Sequence, residues 1–237
     1  MRKHFTKVTT HDGSPTFSYL NKELMHNKSG AFSETVHSYL PVLFALKKSG
    51  LSYKLTSIGL GLAYIEILCI AYFVKNCIDL SSFVLYSYES DSFLRHSFQK
   101  YCLGTLESSE MTEIYKSIVM RSAQYFQISK KSIQDLLKLA IKKKIILKPS
   151  FTEKSKNQET SHGLFFDAFS PKTSNNIWSK ESLDNLFSSR ISEKKCILSS
   201  YAKNRLLKEA LKQHKFRDIH KAGFEKRHCT YAIRGIS

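Results

Sequence analysis

The chain has 237 residues, of which 42% are hydrophobic and 24% charged, and this composition excludes a disordered protein because it supplies enough apolar side chains for a core. Lysine and arginine number 37 against 20 aspartate and glutamate residues, a net charge of +17. Such an excess favours a polyanionic partner, either nucleic acid or an anionic membrane surface, and it is concentrated in residues 201–237 and in a cluster of Lys142, Lys143, Lys144 and Lys148.

The first 50 residues predict an N-terminal extension that packs on a larger domain formed by residues 51–237. A turn is expected at Asp12-Gly13-Ser14-Pro15. A helix is expected to begin after Gly30 and to run to about Lys48, with Gly50 ending it. Met1 is followed by basic and polar residues without an apolar segment, so no signal peptide is expected.

The next segment predicts a strand, a glycine turn, a helix and a second strand. The first strand is expected over Tyr53–Ile58 and the helix over Tyr64–Lys75, with Gly59-Leu60-Gly61-Leu62-Ala63 between them. Glycines without side chains let the backbone approach a ligand closely. The second strand, Ser82–Tyr88, ends at Glu89, where folds of this kind place an acid that binds ribose hydroxyls. A solvated turn residue is the alternative for Glu89.

Residues 55–74 also permit a different interpretation. The run LTSIGLGLAYIEILCIAYFV is about long enough to cross a bilayer as a helix. Gly59 and Gly61 lie close together in it, Glu66 lies near its middle, and the chain has no second segment of this kind. The preferred interpretation is therefore strand, turn and buried helix, without a membrane, and a membrane-associated basic protein is the alternative.

The remaining elements alternate between helices and strands. Residues 92 to about 142 are helical by pattern and predict a helical insertion, and the polar segment Thr152–His162 predicts a loop. The alternation predicts an α/β fold with a mainly parallel, doubly wound sheet, closed by a C-terminal antiparallel hairpin. The expected elements are strands at Lys144–Lys148 and Lys195–Tyr201, helices at Lys180–Ser188 and Lys203–Gln213, and hairpin strands at Phe216–Lys221 and Cys229–Arg234.

An acid follows a short apolar run near the middle of the second half. Leu164-Phe165-Phe166 predicts a buried strand, and Asp167 comes directly after it, before a turn at Pro171. In open α/β sheets ligands bind beyond the carboxyl ends of the strands, so Asp167 is predicted to face a ligand. The alternative is a helix N-cap.

Five short motifs follow each other in an order typical of one family. They are Asp12-Gly13-Ser14-Pro15-Thr16, Ser29-Gly30-Ala31-Phe32-Ser33-Glu34-Thr35-Val36-His37, Gly59-Leu60-Gly61, Asp167-Ala168-Phe169-Ser170-Pro171-Lys172 with Trp178, and Gly223-Phe224 with Lys226-Arg227. The chain resembles the methyltransferase domain of MnmC-type tRNA wobble-uridine enzymes, in the form found without the flavin oxidase domain.

The resemblance implies a cytoplasmic, Rossmann-like class I enzyme that uses S-adenosyl-L-methionine. Its substrate would be the exocyclic amine of 5-aminomethyluridine at the tRNA wobble position, and its product 5-methylaminomethyluridine. Partners would be tRNA and the enzymes that supply the aminomethyl intermediate. No metal is expected, because the five cysteines and nine histidines show no ligand spacing.

The resemblance also assigns roles to individual residues. Asp167 would accept a hydrogen bond from the substrate amine. Phe169 and Trp178 would flank the uracil, with core packing as the alternative for Trp178, and an N-cap or turn role is the alternative for Glu34 and Asp12. Cofactor contacts would come from Gly59, Leu60, Gly61, Glu89, Glu34 and Asp12, and substrate contacts from Phe169, Pro171, Lys172, Trp178, Lys226 and Arg227.

Two positions and one segment differ from the pattern of this family. Ser57 stands where an acid usually precedes the glycine turn, Ala63 replaces a third glycine, and Thr152–His162 contains no Gly-Asp pair for adenine. These differences motivate an alternative hypothesis, a degenerate methyltransferase-fold protein that binds RNA without activity.

Overall fold

The structure is a computed structural model that describes residues 5–20, 23–202, 204–219, 221–225 and 229–236. Within these residues the chain forms ten strands and seven α-helices. The strands make two sheets, a small antiparallel one at the N-terminus and a central one of seven strands.

The N-terminal sheet was not expected from the sequence, which predicted only a turn and a helix here. It consists of β1 (Phe5–Thr9), β2 (Pro15–Tyr19) and β3 (Glu23–Leu24), which pair in that order. The predicted turn joins β1 to β2. The predicted helix follows as α1 (Ala31–Lys48), and Gly50 has the positive φ of 62° that suits glycine at a helix end.

The central sheet has the order β6-β5-β4-β7-β8-β10-β9. Strands β4 to β8 are parallel, whereas β10 is antiparallel to both of its neighbours. The predicted α/β fold with a mainly parallel sheet and a closing hairpin is therefore confirmed. The strands are β4 (Tyr53–Ile58), β5 (Phe83–Tyr88), β6 (Ile145–Lys148), β7 (Ser161–Phe166), β8 (Ser192–Ser200), β9 (Arg217–Asp218) and β10 (Thr230–Arg234).

Residues 92–142, predicted as helical, divide into three helices that connect β5 to β6. Gly104 and Gln127 adopt left-handed conformations that end the first two. Asp91, Ser109 and Ser129 cap the three N-termini with their side chains. The helices after α1 are α2 (Tyr64–Lys75), α3 (Ser92–Leu103), α4 (Glu110–Phe126), α5 (Lys130–Lys143), α6 (Lys180–Phe187) and α7 (Arg205–Gln213).

The apolar run 55–74 is a strand, a turn and a buried helix. Helix α2 has 12 residues and spans about 18 Å, and it packs against α1, α4 and α5. Its apolar surface is therefore covered on several sides by the chain itself. Among the helices of the described residues, none has both the length and the apolar character needed to cross a membrane.

Candidate functional site

A cavity of about 310 Å³ opens where β4, β5 and β7 end. The order of the sheet places β4 between β5 and β7, so the connections from β4 and β7 leave in opposite directions at this point. A crevice at such a switch point is the usual ligand site of an open α/β sheet. The strand ends contribute Ile58, Gly59, Gly61, Tyr88, Glu89, Asp167 and Ala168 to its lining.

The two glycines of the turn after β4 serve different purposes. Gly59 has a φ of 97°, and a Cβ atom there would lie 2.5 Å from the carbonyl oxygen of Asp167. Its missing side chain therefore makes room for the chain after β7. Gly59 also lines the cavity, and its contact with the cofactor stays a prediction. Gly61 has a φ of 49°, and a Cβ there would meet only the Met25 sulfur at 3.7 Å. Gly61 is therefore the position where a ligand can approach the backbone.

The rest of the turn is held by its backbone. Leu60 is buried, and its N–H donates to the carbonyl oxygen of Tyr88 at 3.2 Å. Ala63, the N-cap of α2, adopts the left-handed conformation with a φ of 60°. The alanine thus keeps the conformation that a third glycine would adopt, at a conformational cost of about 1 kcal/mol.

Glu89 lies at the cavity with its carboxylate oriented by the backbone. One oxygen accepts the Gly61 N–H at 3.0 Å, and the other accepts the Asp91 N–H at 2.8 Å. Burial raises the pKa of Glu89, and these two bonds oppose the rise. Each carboxylate oxygen has more than one acceptor site, so the group can still accept hydrogen bonds from a ligand.

Asp167 lines the cavity and is not a helix cap, because the next helix has Ser179 at its N-cap. Its Oδ1 accepts a hydrogen bond of 2.6 Å from the hydroxyl of Tyr39 on α1. Its N–H donates to the carbonyl of Ile58, which fixes the backbone after β7 to the end of β4. Burial raises the pKa of Asp167 well above its usual range, and the bond from Tyr39 only partly offsets this.

The two aromatic residues predicted to flank a base lie in different places. Phe169 lines the cavity, with its ring 5.8 Å from that of Tyr19. Trp178 is only 1% exposed, packs edge-on against Phe166, and donates its indole N–H to the carbonyl of Phe169 at 2.7 Å. The predicted base contact by Trp178 is therefore corrected: it packs in the core and holds Phe169 in position.

Two predicted cofactor residues, Asp12 and Glu34, are not among the residues that line the cavity. Asp12 accepts hydrogen bonds from Ser14 and Ser33, and these bonds hold its pKa far below the usual range despite its burial. Glu34 is buried and accepts the Asn27 N–H at 2.6 Å. Both side chains fix the segment that leads into α1, which is the turn role that was the alternative.

Of the remaining predicted substrate residues, two are exposed in a loop that lines the cavity, and two lie outside the described residues. Pro171 and Lys172 are exposed in the loop formed by residues 167–179, whose Thr173, Ser174 and Ile177 line the cavity. Lys226 and Arg227 lie outside the described residues.

The N-terminal sheet supplies lining residues that the sequence did not predict. Neither β1 nor β2 alternates between buried and exposed residues, so no period-2 pattern marks them as strands in the sequence. Further lining residues follow β6 and begin α3. The unpredicted residues are Phe5, Tyr19, Met25, His26, Ser90, Asp91, Leu94, Ser150 and Phe151.

Glu23 on β3 connects this sheet to the loop 167–179. Its carboxylate accepts hydrogen bonds from the N–H and the hydroxyl of Ser170, both at 3.1 Å, and from the hydroxyl of Thr173. No local sequence signal marks Glu23, because its partners are about 150 residues away.

The cavity fits a nucleoside-type ligand. Gly61 offers open backbone, Glu89 offers an oriented acceptor for a diol, and Leu94 and Phe151 offer apolar surface. These features on a seven-stranded sheet of this order define the class of S-adenosyl-L-methionine-dependent methyltransferases with a Rossmann-like fold.

A family model described as S-adenosyl-L-methionine-dependent methyltransferase matches residues 105–235, which is more than half of the chain, and the chain belongs to this family. The resemblance to the MnmC-type methyltransferase domain is confirmed, and the cofactor is S-adenosyl-L-methionine. Among curated proteins no sequence matches the chain.

Two crystal structures have similar folds. MNMC2 from Aquifex aeolicus is 18% identical with a TM-score of 0.63, and the match covers 96% of this chain and 70% of that one. Spermidine synthase from Thermotoga maritima is 11% identical with a TM-score of 0.53, covering 98% of this chain and 70% of that one. At these identities the likeness concerns the fold.

Proposed function

We propose that this methyltransferase acts on tRNA and methylates the exocyclic amine of 5-aminomethyluridine at the wobble position. The observation that carries the proposal is Asp167, a carboxyl group in the cavity wall that is held by Tyr39 and lies in the motif shared with MnmC-type domains. A carboxylate suits an amine as substrate, because it can both orient the amine and take its proton.

Asp167 acts on the amine before the methyl group moves. An alkyl amine is mostly protonated near neutral pH and is then not a nucleophile. Tyr39 occupies Oδ1, so the other carboxylate oxygen accepts the proton and directs the nitrogen lone pair. The raised pKa of Asp167 makes it a better proton acceptor than an ordinary aspartate.

The bound cofactor supplies an electrophilic methyl group on a sulfonium. Gly61 and Glu89 would hold its nucleoside part at the ends of β4 and β5. The methyl group would pass to the amine nitrogen, and the electron pair of the S–C bond would stay on sulfur. Asp167 keeps the proton that left the amine until it exchanges with water.

Phe169 and the basic surface serve the RNA. Phe169 offers a face for the uracil, since unstacked bases are commonly held against aromatic rings. Lys172 on the exposed loop contacts phosphate, and the net charge of +17 supports binding that weakens as salt rises. Lys226 and Arg227 are proposed as further phosphate contacts, and a cytoplasmic location is proposed because the substrate is tRNA.

The direct test uses purified protein, tRNA that carries 5-aminomethyluridine, and a cofactor with an isotopic label on its methyl group. Nucleoside mass spectrometry is expected to find labelled 5-methylaminomethyluridine. Label on another nucleoside would show that the substrate is not 5-aminomethyluridine. Binding of the cofactor without any methyl transfer would favour the RNA-binding alternative.

The cellular test is deletion of the gene. The expected result is loss of 5-methylaminomethyluridine from tRNA with accumulation of 5-aminomethyluridine, which the supplying enzymes continue to make. Unchanged modification would contradict the proposed substrate, even if the purified protein binds the cofactor.

A further inference from the structure

Beneath the cavity lies a carboxyl group that has no part in the site described so far. Glu66 is in the first turn of α2, and its side chain is fully buried at 0% exposure. One oxygen, Oε1, accepts a hydrogen bond of 2.6 Å from the hydroxyl of Ser87. The other oxygen, Oε2, has no hydrogen-bond partner among the described residues.

Glu66 lies between the two strands that carry the cofactor residues. Ser57 and Ser87 face each other as partners on β4 and β5, and each is the last residue but one of its strand. The Ser57 hydroxyl lies beside the Glu66 carboxyl but completes no hydrogen bond to it. The turn with Gly61 follows one strand and Glu89 follows the other, and Glu66 interacts electrostatically with Glu89.

Among the described residues no cation forms an ion pair or a hydrogen bond with the Glu66 carboxyl, and its neighbours include acids. Burial raises the pKa of Glu66 to about 7, although the bond from Ser87 lowers it. The titratable groups that interact with it electrostatically are Glu89, Asp167, Cys69 on α2, Cys102 on α3 and Tyr115 on α4, and none of these carries a positive charge.

A buried carboxylate with an unpartnered oxygen destabilises a fold, so a charge at this depth needs a cation to offset it. Of the cofactor and its product, only the cofactor carries a positive charge on sulfur. The amino, carboxyl and nucleoside groups are the same in both molecules. The two molecules differ in the methyl group and in the charge at sulfur, so only a difference in binding that follows the ionisation of Glu66 reports on the charge.

We propose that Glu66 determines the preference of the cavity for the cofactor over its product, because its negative charge beneath the glycine turn stabilises a positive charge on sulfur. The carboxyl group acts through its electrostatic field in the water-poor site, and the hydrogen bond from Ser87 fixes it to the end of β5. The preference favours release of the product after each methyl transfer. The inference depends on membership in the methyltransferase family and not on the identity of the RNA substrate.

The first test measures the affinities for S-adenosyl-L-methionine and S-adenosyl-L-homocysteine by calorimetry between about pH 6 and pH 7.5. In the unmodified protein the ratio of the two affinities is expected to rise with pH, by up to about tenfold, as Glu66 ionises. In Glu66→Gln the ratio is expected to be lower and independent of pH. Ser87→Ala removes a hydrogen bond that lowers the pKa of Glu66 but keeps the carboxyl group, so the ratio should still rise with pH, at higher pH than in the unmodified protein.

The opposite result would assign the effect elsewhere. If Glu66→Gln keeps the same ratio and the same pH dependence, Glu66 has no part in the preference and the inference is overturned. The same conclusion follows if the ratio in Ser87→Ala stays as independent of pH as in Glu66→Gln when the measurement is extended to about pH 8.5, because the effect would then come from the local structure.

A second measurement needs no variant. Titration of each ligand into the unmodified protein near pH 7, in two buffers of different ionisation enthalpy, reports the protons released on binding. The cofactor is expected to release more protons than the product, since it favours the ionised form of Glu66. Equal proton release by the two ligands would overturn the inference even if Glu66→Gln failed to fold.

Discussion

One wall of the cavity is formed by the ends of β4, β5 and β7, and another by the N-terminal sheet with the loop 167–179. The first wall is held by the hydrogen bonds of parallel strands and by close backbone approaches such as that of Gly59 to Asp167. The second depends on side chains, above all on Glu23. The strand ends form the wall that we propose holds the cofactor, and the wall that we propose meets the RNA is fastened by separate contacts.

The largest effect is expected at Asp167, where the two walls meet. Asp167→Asn keeps the size of the side chain but removes the proton acceptor, so kcat should fall about 10²- to 10⁴-fold. Affinity for the cofactor, measured by calorimetry, should change little. Tyr39→Phe is the control for geometry and should have a smaller effect on kcat. Full activity of Asp167→Asn would contradict the assigned role.

The close packing of the first wall, which the strand ends form, can be tested by substitution of two glycines. Gly59→Ala would bring a Cβ to 2.5 Å from the Asp167 carbonyl oxygen at a φ of 97°, so it should lower the free energy of unfolding by roughly 2–4 kcal/mol. Gly61→Ala, whose Cβ meets only the Met25 sulfur at 3.7 Å, should cost less stability and should mainly weaken cofactor binding. Urea unfolding and calorimetry on both variants check this contrast.

Glu66 makes the stability of the first wall depend on pH. Its pKa is raised from 4.5 to about 7 by burial, so the folded state binds a proton that the unfolded state has lost. The contribution of Glu66 to stability is therefore largest below pH 4.5 and falls by about 3 kcal/mol as pH rises to 7. Relative to the unmodified protein, Glu66→Gln should be more stable at about pH 8 than at about pH 5 in urea unfolding. Equal differences at both pH values would contradict the burial of an ionising group.

A smaller effect is expected when the second wall is loosened. Glu23→Gln weakens the bonds to Ser170 and Thr173 by roughly 1–2 kcal/mol, so KM for tRNA should rise several-fold while affinity for the cofactor stays the same. The exposed Glu153 provides the matched control, because Glu153→Gln changes the net charge equally. A loss of cofactor affinity in Glu23→Gln would show that the two walls are not independent.

The smallest effect is expected at Ala63. Ala63→Gly removes the strain of a left-handed alanine, which stabilises the fold. It also removes a buried methyl group and makes the unfolded chain more flexible, which destabilises the fold. The free energy of unfolding should therefore change by less than about 0.5 kcal/mol. Thermal unfolding and calorimetry measure the result. Tenfold tighter cofactor binding in Ala63→Gly would mean that the alanine obstructs the cofactor.

Most of the parallel sheet was predictable because its signals are local. Tyr53–Ile58 and Tyr64–Lys75 were predicted with the bounds that the structure has, since periodicity and glycine mark them. The acids at two strand ends, Glu89 and Asp167, were placed correctly at the cavity for the same reason. The domain boundary at residue 50 stays a prediction.

The sequence by itself determined the fold class, the position of the glycine turn and the acids that follow β5 and β7, because each depends on neighbours within a few residues. Only the tertiary structure decided that Trp178 packs in the core, that Gly59 makes room for Asp167, and that Glu23 bonds to Ser170, 147 positions away. Contacts of this kind depend on how distant segments pack, and no local pattern encodes them.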